Sequence, residues 1–192
     1  MDPINIIILM NIAATFGANI SGAKKGLKSK VAAIREKPKS FLQKFPLVLS
    51  TTTLIVLILG TFQIGTLEYL KEHNAIRLIG LPVYLIFSWV QVWSFKALGD
   101  SYSQDIVIKK DHKLVSSGPF RFIRHPQYFS QILINIGGTA ATLSFVLGAL
   151  TLIEIPVYIM RALMEDKLLS KHFKEEFSAY KKKSGFMIPF IG

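Results

Sequence analysis

Between Pro126 and Met160 the chain runs 35 residues with one formal charge, Glu154. As one straight helix that run would measure roughly 52 Å at about 1.5 Å per residue, far more than the ~30 Å hydrocarbon layer of a bilayer. It is also slightly short for two full crossings. Inside a membrane no water is available for backbone N–H and C=O groups, so the segment has to be helical wherever it meets lipid. Both constraints are met by a tight helical hairpin that reverses between Gly138 and Gly148, where Gly, Thr and Ser are dense.

Three more uncharged runs, Pro3 to Ile20, Phe45 to Leu67 and Leu78 to Phe95, each approach the ~20 residues of a spanning helix. Hydrophobic residues make up 51% of the 192 positions and charged residues 18%, the charges bunched between the runs. The expected fold is all-α: a polytopic integral membrane protein of five transmembrane helices in one domain, 1–192. Residues 1–95 would supply three spans, and 96–192 a second half with polar loops and a C-terminal helix. The first run lacks a basic leader and is long for the apolar core of a signal peptide, so it is read as a mature helix. Its Ala14, Ala18 and Gly22 suit close helix packing. With no cysteine in the chain, disulfides, thiolate metal sites and a Cys nucleophile are excluded.

Charge sets an orientation. Ser21 to Lys44 holds eight Lys or Arg against one acid, whereas Glu68 to Arg77 is balanced at two and two. Basic loops stay on the cytoplasmic side, and five spans then bring the Lys96 to Arg124 segment and the Arg161 to Gly192 tail, with six and seven further bases, to that same side. The net charge of +11 is thus a topology signal. It suits anionic lipid headgroups and not nucleic acid, since no interleaved basic and aromatic surface is present. The stretch Lys24 to Lys44 is either an interfacial helix or a solvated linker.

Against this apolar background the segment His112 to Tyr128, HKLVSSGPFRFIRHPQY, is polar. Gly118-Pro119 makes a turn, and Pro126 suits a first helical position. The fourth span would begin at His125, its N-terminus beside Arg121, Arg124 and His125 forming a seat for an anionic group. Arginines there also serve simply to anchor a span. Downstream, Glu154, Tyr158, Arg161 and Glu165 fall on one helix face. Arg161 and Glu165 are spaced for an i,i+4 ion pair. Glu154, deep in the apolar run, needs a polar partner or a cavity. His73, His112, His125 and His172 share no ligand spacing, so no metal is expected.

The string H-x-L-V-x-x-G-x-F-x-x-x-R-H-P-x-Y, then Arg161-x-x-x-Glu165-Asp166, then Ile188-Pro189-Phe190, resembles the isoprenylcysteine carboxyl methyltransferase family and its prokaryotic relatives over the half of the chain from Gly99 onward. The resemblance implies an integral membrane enzyme, in a prokaryote a multi-pass protein of the cell membrane, that moves a methyl group from S-adenosylmethionine to the carboxylate of a prenylcysteine or similar lipophilic acid on the cytoplasmic side, releasing S-adenosylhomocysteine. It implies that His112, Lys113, Leu114, Val115, Phe120, His125, Pro126, Gln127, Tyr128 and Glu165 hold the cofactor, and that Arg161, with Arg124 as a second candidate, grips the carboxylate. Glu154 and Tyr158 are added as substrate-side candidates. Phe120 replaces the family's usual Tyr, and Asp166 the second Glu of its acidic pair.

The residue types fit that chemistry. A carboxylate is already ionised at pH 7 and needs no base to become a nucleophile; it needs alignment, which supplies roughly 7–11 kcal/mol of a barrier, and an arginine fork can provide it. Two enzymatic alternatives compete, a phospholipid amine N-methyltransferase and an NADPH-dependent sterol or steroid reductase, together with a non-catalytic lipid-binding scaffold.

Overall fold

A computed structural model describes residues 2–28, 34–110 and 112–192, with side chains from 20 to 28 left aside. Five helices dominate: α1 (Pro3–Lys28), α2 (Phe45–Thr61), α3 (Asn74–Leu98), α4 (Pro126–Thr142) and α5 (Phe145–Lys181). The chain is mostly but not wholly helical. Strands β1 (Ile34–Glu36) and β2 (Ile108–Lys109) pair antiparallel. Where an interfacial helix was one expectation, α1 continues to Lys28 and β1 occupies part of the remainder. Val31 and Gly22 lie outside the described side chains.

The long apolar run folds as the expected hairpin. α4 ends at Thr142, Leu143 takes a left-handed conformation (φ 53°), and Ser144 caps α5 by accepting from the Leu147 N–H at 3.2 Å. The reversal therefore takes two residues. The segment Lys71–Ser101 and α5 are long and apolar enough to cross a membrane, while the apolar helices Pro3–Asn19 and Phe45–Thr61 are shorter. Outward positions of α5 such as Leu152 and Ile153 are exposed. An exterior of this kind suits lipid rather than water.

α3 and α4 pack tightly because two glycines leave room. A Cβ on Gly80 would lie 2.6 Å from Ala140 Cβ and the Ala141 nitrogen, and one on Gly137 would lie 2.5 Å from the Tyr84 nitrogen. Small residues allow such approach where no hydrophobic effect drives helices together. α1 uses a different face from the expected Ala14 stripe. Ala14 is exposed, and among the described side chains of α1 the buried ones are Asn5, Ile8 and Asn11. Asn11 donates through Nδ2 to Ser88 Oγ at 2.8 Å and accepts through Oδ1 from Trp89 Nε1 at 3.0 Å. Asn5 Nδ2 donates to the Thr61 carbonyl at 2.9 Å. Hydrogen bonds from these side-chain amides tie α1 to its neighbours.

Candidate active site

At the opposite end from the α4–α5 turn, loops and helix termini surround a cavity of about 740 Å³, a figure that includes space open to solvent. His112, Lys113, Leu114, Val115, Phe120, Arg124, His125, Gln127 and Glu165 all line it. Two of the cofactor candidates, Pro126 and Tyr128, do not. Pro126 is the first residue of α4, with His125 as its cap. Tyr128 instead lines a second cavity of about 550 Å³ together with Tyr158 and Arg161. The two cavities share Tyr102, Ser103 and Gln127. A third space of about 910 Å³ joins the second at Ser50, Gln91, Phe95 and Gln131, and continues between α1, α2, α3 and α4. The result is a column running from the loops into the helix bundle.

Between the first two cavities stands a buried polar assembly. Tyr128 Oη donates to Glu165 Oε1 and accepts from Arg161 Nε at 2.7 Å. Arg161 and Glu165, spaced for a direct pair, are 3.5 Å apart because the phenol bridges them. The guanidinium also donates to the Leu42 carbonyl at 2.7 Å and the Gln104 carbonyl at 2.6 Å. With three of its five N–H groups bonded, two remain. Tyr158 stacks on Tyr128 with centroids 5.2 Å apart.

Arg124 and His125 are held by Asp166. Arg124 Nε lies 3.1 Å from Asp166 Oδ2, and His125 Nε2 2.8 Å from Oδ1. Arg124 also donates through Nη1 to the carbonyls of Ser184 at 2.6 Å and Gly192 at 3.1 Å, so its charge is matched by Asp166 and its Nη1 is taken by the C-terminal segment. Burial alone would push the His125 imidazolium pKa down, but the bonds to Asp166 and Glu165 outweigh it and hold it above the ordinary histidine value. His112 behaves oppositely. Burial first, then Lys109 and His172, lower its pKa, so near neutral pH the ring facing the cavity is uncharged.

Glu154 is fully buried and accepts from Asn135 Nδ2. It lines none of the three cavities; Asn135, in front of it, lines the third.

Residues 76–176 match the phospholipid methyltransferase family. The chain belongs to that family. Within it, the chain is 31% identical over 126 residues to a probable protein-S-isoprenylcysteine O-methyltransferase of Oryza sativa subsp. indica, covering 64% of this chain and 65% of the rice protein. Against the protein-S-isoprenylcysteine O-methyltransferase of Saccharomyces cerevisiae it is 30% identical over 132 residues, 65% of this chain and 53% of the yeast protein. It thus spans somewhat less than two thirds of these relatives' lengths. The structure described as the eukaryotic intramembrane Ras methyltransferase ICMT superposes with a TM-score of 0.61 at 19% identity, covering all of this chain and 69% of that one. That likeness establishes a shared fold.

For a member of this methyltransferase family, the methyl donor's fit can be tested on the cavity itself. Two buried polar atoms on its walls, His112 Nδ1 and Gln127 Oε1, have no hydrogen-bond partner among the described residues. Orphaned polar atoms are rare and call for a ligand or water. Apolar Leu114, Val115, Phe120 and Phe177 share those walls with the carboxylate of Glu165. A ligand with a flat base, a cationic centre and polar ends suits this mixture.

Sequence reasoning did not single out the loop Ser101 to Ile106, and read Pro38 to Lys44 only as the end of an interfacial helix or linker, with no part in the site. Gln43, buried, donates through Nε2 to the carbonyls of Pro38 at 2.8 Å and Ile106 at 3.1 Å, and accepts through Oε1 from the Ile106 N–H at 2.9 Å. Neither segment has a periodic pattern that would have marked it.

Proposed function

We propose that this protein transfers a methyl group from S-adenosylmethionine to the carboxylate of a prenylcysteine or a similar lipophilic acid, at the boundary of membrane and cytoplasm. One observation carries the proposal: a water-side cavity lined by the motif residues meets a bundle-side cavity at Tyr102, Ser103 and Gln127, with Glu165 on the first wall and Arg161 on the second. Two reactants of opposite polarity, one from water and one from lipid, would meet there.

The donor supplies an electrophilic methyl on a sulfonium. His112, Lys113, Leu114, Val115, Phe120, His125, Gln127 and Glu165 would hold it, with Pro126 and Tyr128 supporting them from the start of α4. Arg161 orients the acceptor. Its two unbonded N–H groups can grip one carboxylate oxygen and leave the other free to attack, and the phenol and carbonyl bonds on its remaining donors keep the fork fixed. Tyr158 and the third cavity would border the acceptor's chain, and Glu154 acts through Asn135. Arg124 is the weaker candidate for the acceptor because Asp166 already neutralises it. An amine acceptor would require a base. The carboxylate at the junction, Glu165, is already engaged by Tyr128 and Arg161, which favours a carboxylate acceptor.

The five helices are read as five spans of one membrane-embedded domain, with the basic loops cytoplasmic. Residues 1–95 and 96–192 both contribute to the second cavity, consistent with a single unit. No metal is assigned a role.

Calorimetric titration of detergent-solubilised protein with S-adenosylhomocysteine, run beside NADPH, tests the cofactor, and radiolabelled methyl transfer to a prenyl-thioether carboxylate in liposomes tests the acceptor. Binding of NADPH alone would move the assignment to a reductase. Silence in both titrations, with no methyl incorporated, would leave the scaffold reading.

A further inference from the structure

The cavity walls are held from behind by a strap that belongs to the other half of the chain. β1 pairs with β2, Lys37 Nζ lies 2.6 Å from Asp105 Oδ2, and Gln43 grips both the N–H and the carbonyl of Ile106. Glu36 anchors the strap's far end, accepting from Lys171 Nζ at 2.8 and 2.9 Å and approaching His172 Nε2 at 2.9 Å. Arg161 adds a second rivet beside Gln43, since its two terminal nitrogens bond Leu42 in the strap and Gln104 in the loop. On their other side Asp105, Ile106, Val107 and Ile108 form cavity wall, and Tyr102 and Ser103 form the junction of the two cavities.

We propose that Gln43 is a positioning residue for methyl transfer: by holding Ile106 through both backbone groups it sets where the Tyr102–Ser103 junction stands between cofactor and acceptor. Ile106 has no neighbouring long strand to satisfy it, because β2 begins only at Ile108. The Gln43 amide plays the part of a strand edge, matching one donor and one acceptor. Without it the Ile106 N–H and carbonyl stay buried and unpaired, and the loop relaxes until they find partners. An error of about 1 Å at a junction of two reactants is enough to cost on the order of 100-fold in rate. This inference rests on the proposed methyl transfer.

The test compares Gln43→Leu, which keeps the side chain's volume and removes all three bonds, with Gln43→Glu, which keeps only an acceptor for the Ile106 N–H. Expected for Gln43→Leu are loss of hydrogen-exchange protection at the Ile106 amide, a weaker Kd for S-adenosylhomocysteine, and kcat down at least 10-fold at saturating cofactor, with Tm within a few degrees of wild type. Gln43→Glu should restore Ile106 protection and part of kcat. Wild-type kcat and Kd in Gln43→Leu would overturn the proposal. So would losses that vanish on assay well below a lowered Tm, since the role would then be structural only. If wild type itself neither binds S-adenosylhomocysteine nor transfers methyl groups, the functional reading fails separately, and Ile106 protection still reports whether Gln43 holds the loop.

Discussion

Two buried arginines stand at opposite ends of the bundle and are treated differently. Arg77, on α3 near the α4–α5 turn, bonds both carboxylate oxygens of Asp2, at 2.6 and 3.2 Å, and the Ala141 carbonyl at 3.0 Å, and lies 3.6 Å over the Tyr69 ring. Its charge is answered, and it lines none of the three cavities. Arg161 bonds two neutral carbonyls and a phenol, and its acid is held off by that phenol. What separates the two is the cavity, not burial: both are less than a tenth exposed, but Arg161 alone of the pair lines one. A guanidinium that lines a cavity with two N–H groups still unbonded is placed to take an anionic ligand.

The contrast breaks most sharply on Arg161. Arg161→Gln should lower methyl transfer at least 100-fold while leaving S-adenosylhomocysteine binding measurable, and full activity in that variant would remove Arg161 from the reaction. Arg77→Ala should do the reverse, lowering unfolding stability by about 3 kcal/mol with the turnover of the folded protein retained. That figure sits at the low end for a buried pair because the Asp2 side chain keeps 24% of its exposure. Chemical denaturation with activity measured in parallel separates the two. Glu165→Ala should weaken cofactor binding by about 10-fold, read by calorimetry, with a smaller effect on the acceptor's KM.

Near neutral pH the comparison sharpens at the site end through two histidines. His125 carries a raised pKa, so the stability it contributes is fully present below its unfolded value of about 6.5 and is lost as pH rises through the higher folded value. His112 carries a lowered pKa, so its contribution is present above about pH 6.5 and is lost as pH falls through the folded value. Tm should therefore fall on both sides. His125→Gln should flatten the alkaline limb and His112→Gln the acid limb. The smallest effect is expected at Phe120→Tyr, which changes cofactor affinity by less than about 1 kcal/mol if the cavity admits the hydroxyl.

The helical half of the architecture was legible because apolar runs and turn residues are local signals. Pro126 opens α4, and the hairpin reverses at Leu143 inside the expected window. The face of α5 bearing Tyr158, Arg161 and Glu165 follows from helical spacing alone. What spacing could not give was the phenol between Arg161 and Glu165, which comes from a different helix. The α1 contact face was misjudged for a related reason. Small residues suggested close packing at Ala14, but a buried amide such as Asn11 gains more from a hydrogen-bond partner in a region without water, and it fixed the helix rotation instead. The strap was invisible because a three-residue strand and one glutamine carry no periodicity, and the grip on Ile106 joins positions 63 residues apart.

The glycine contact between α3 and α4 also limits how an acceptor can arrive. Where even a single methyl group on Gly80 or Gly137 would meet backbone at less than 3 Å, no methylene chain can slide through. At the level of those glycines the two helices act mechanically as one plank, so the hydrocarbon tail of the proposed acceptor would have to enter the bundle elsewhere.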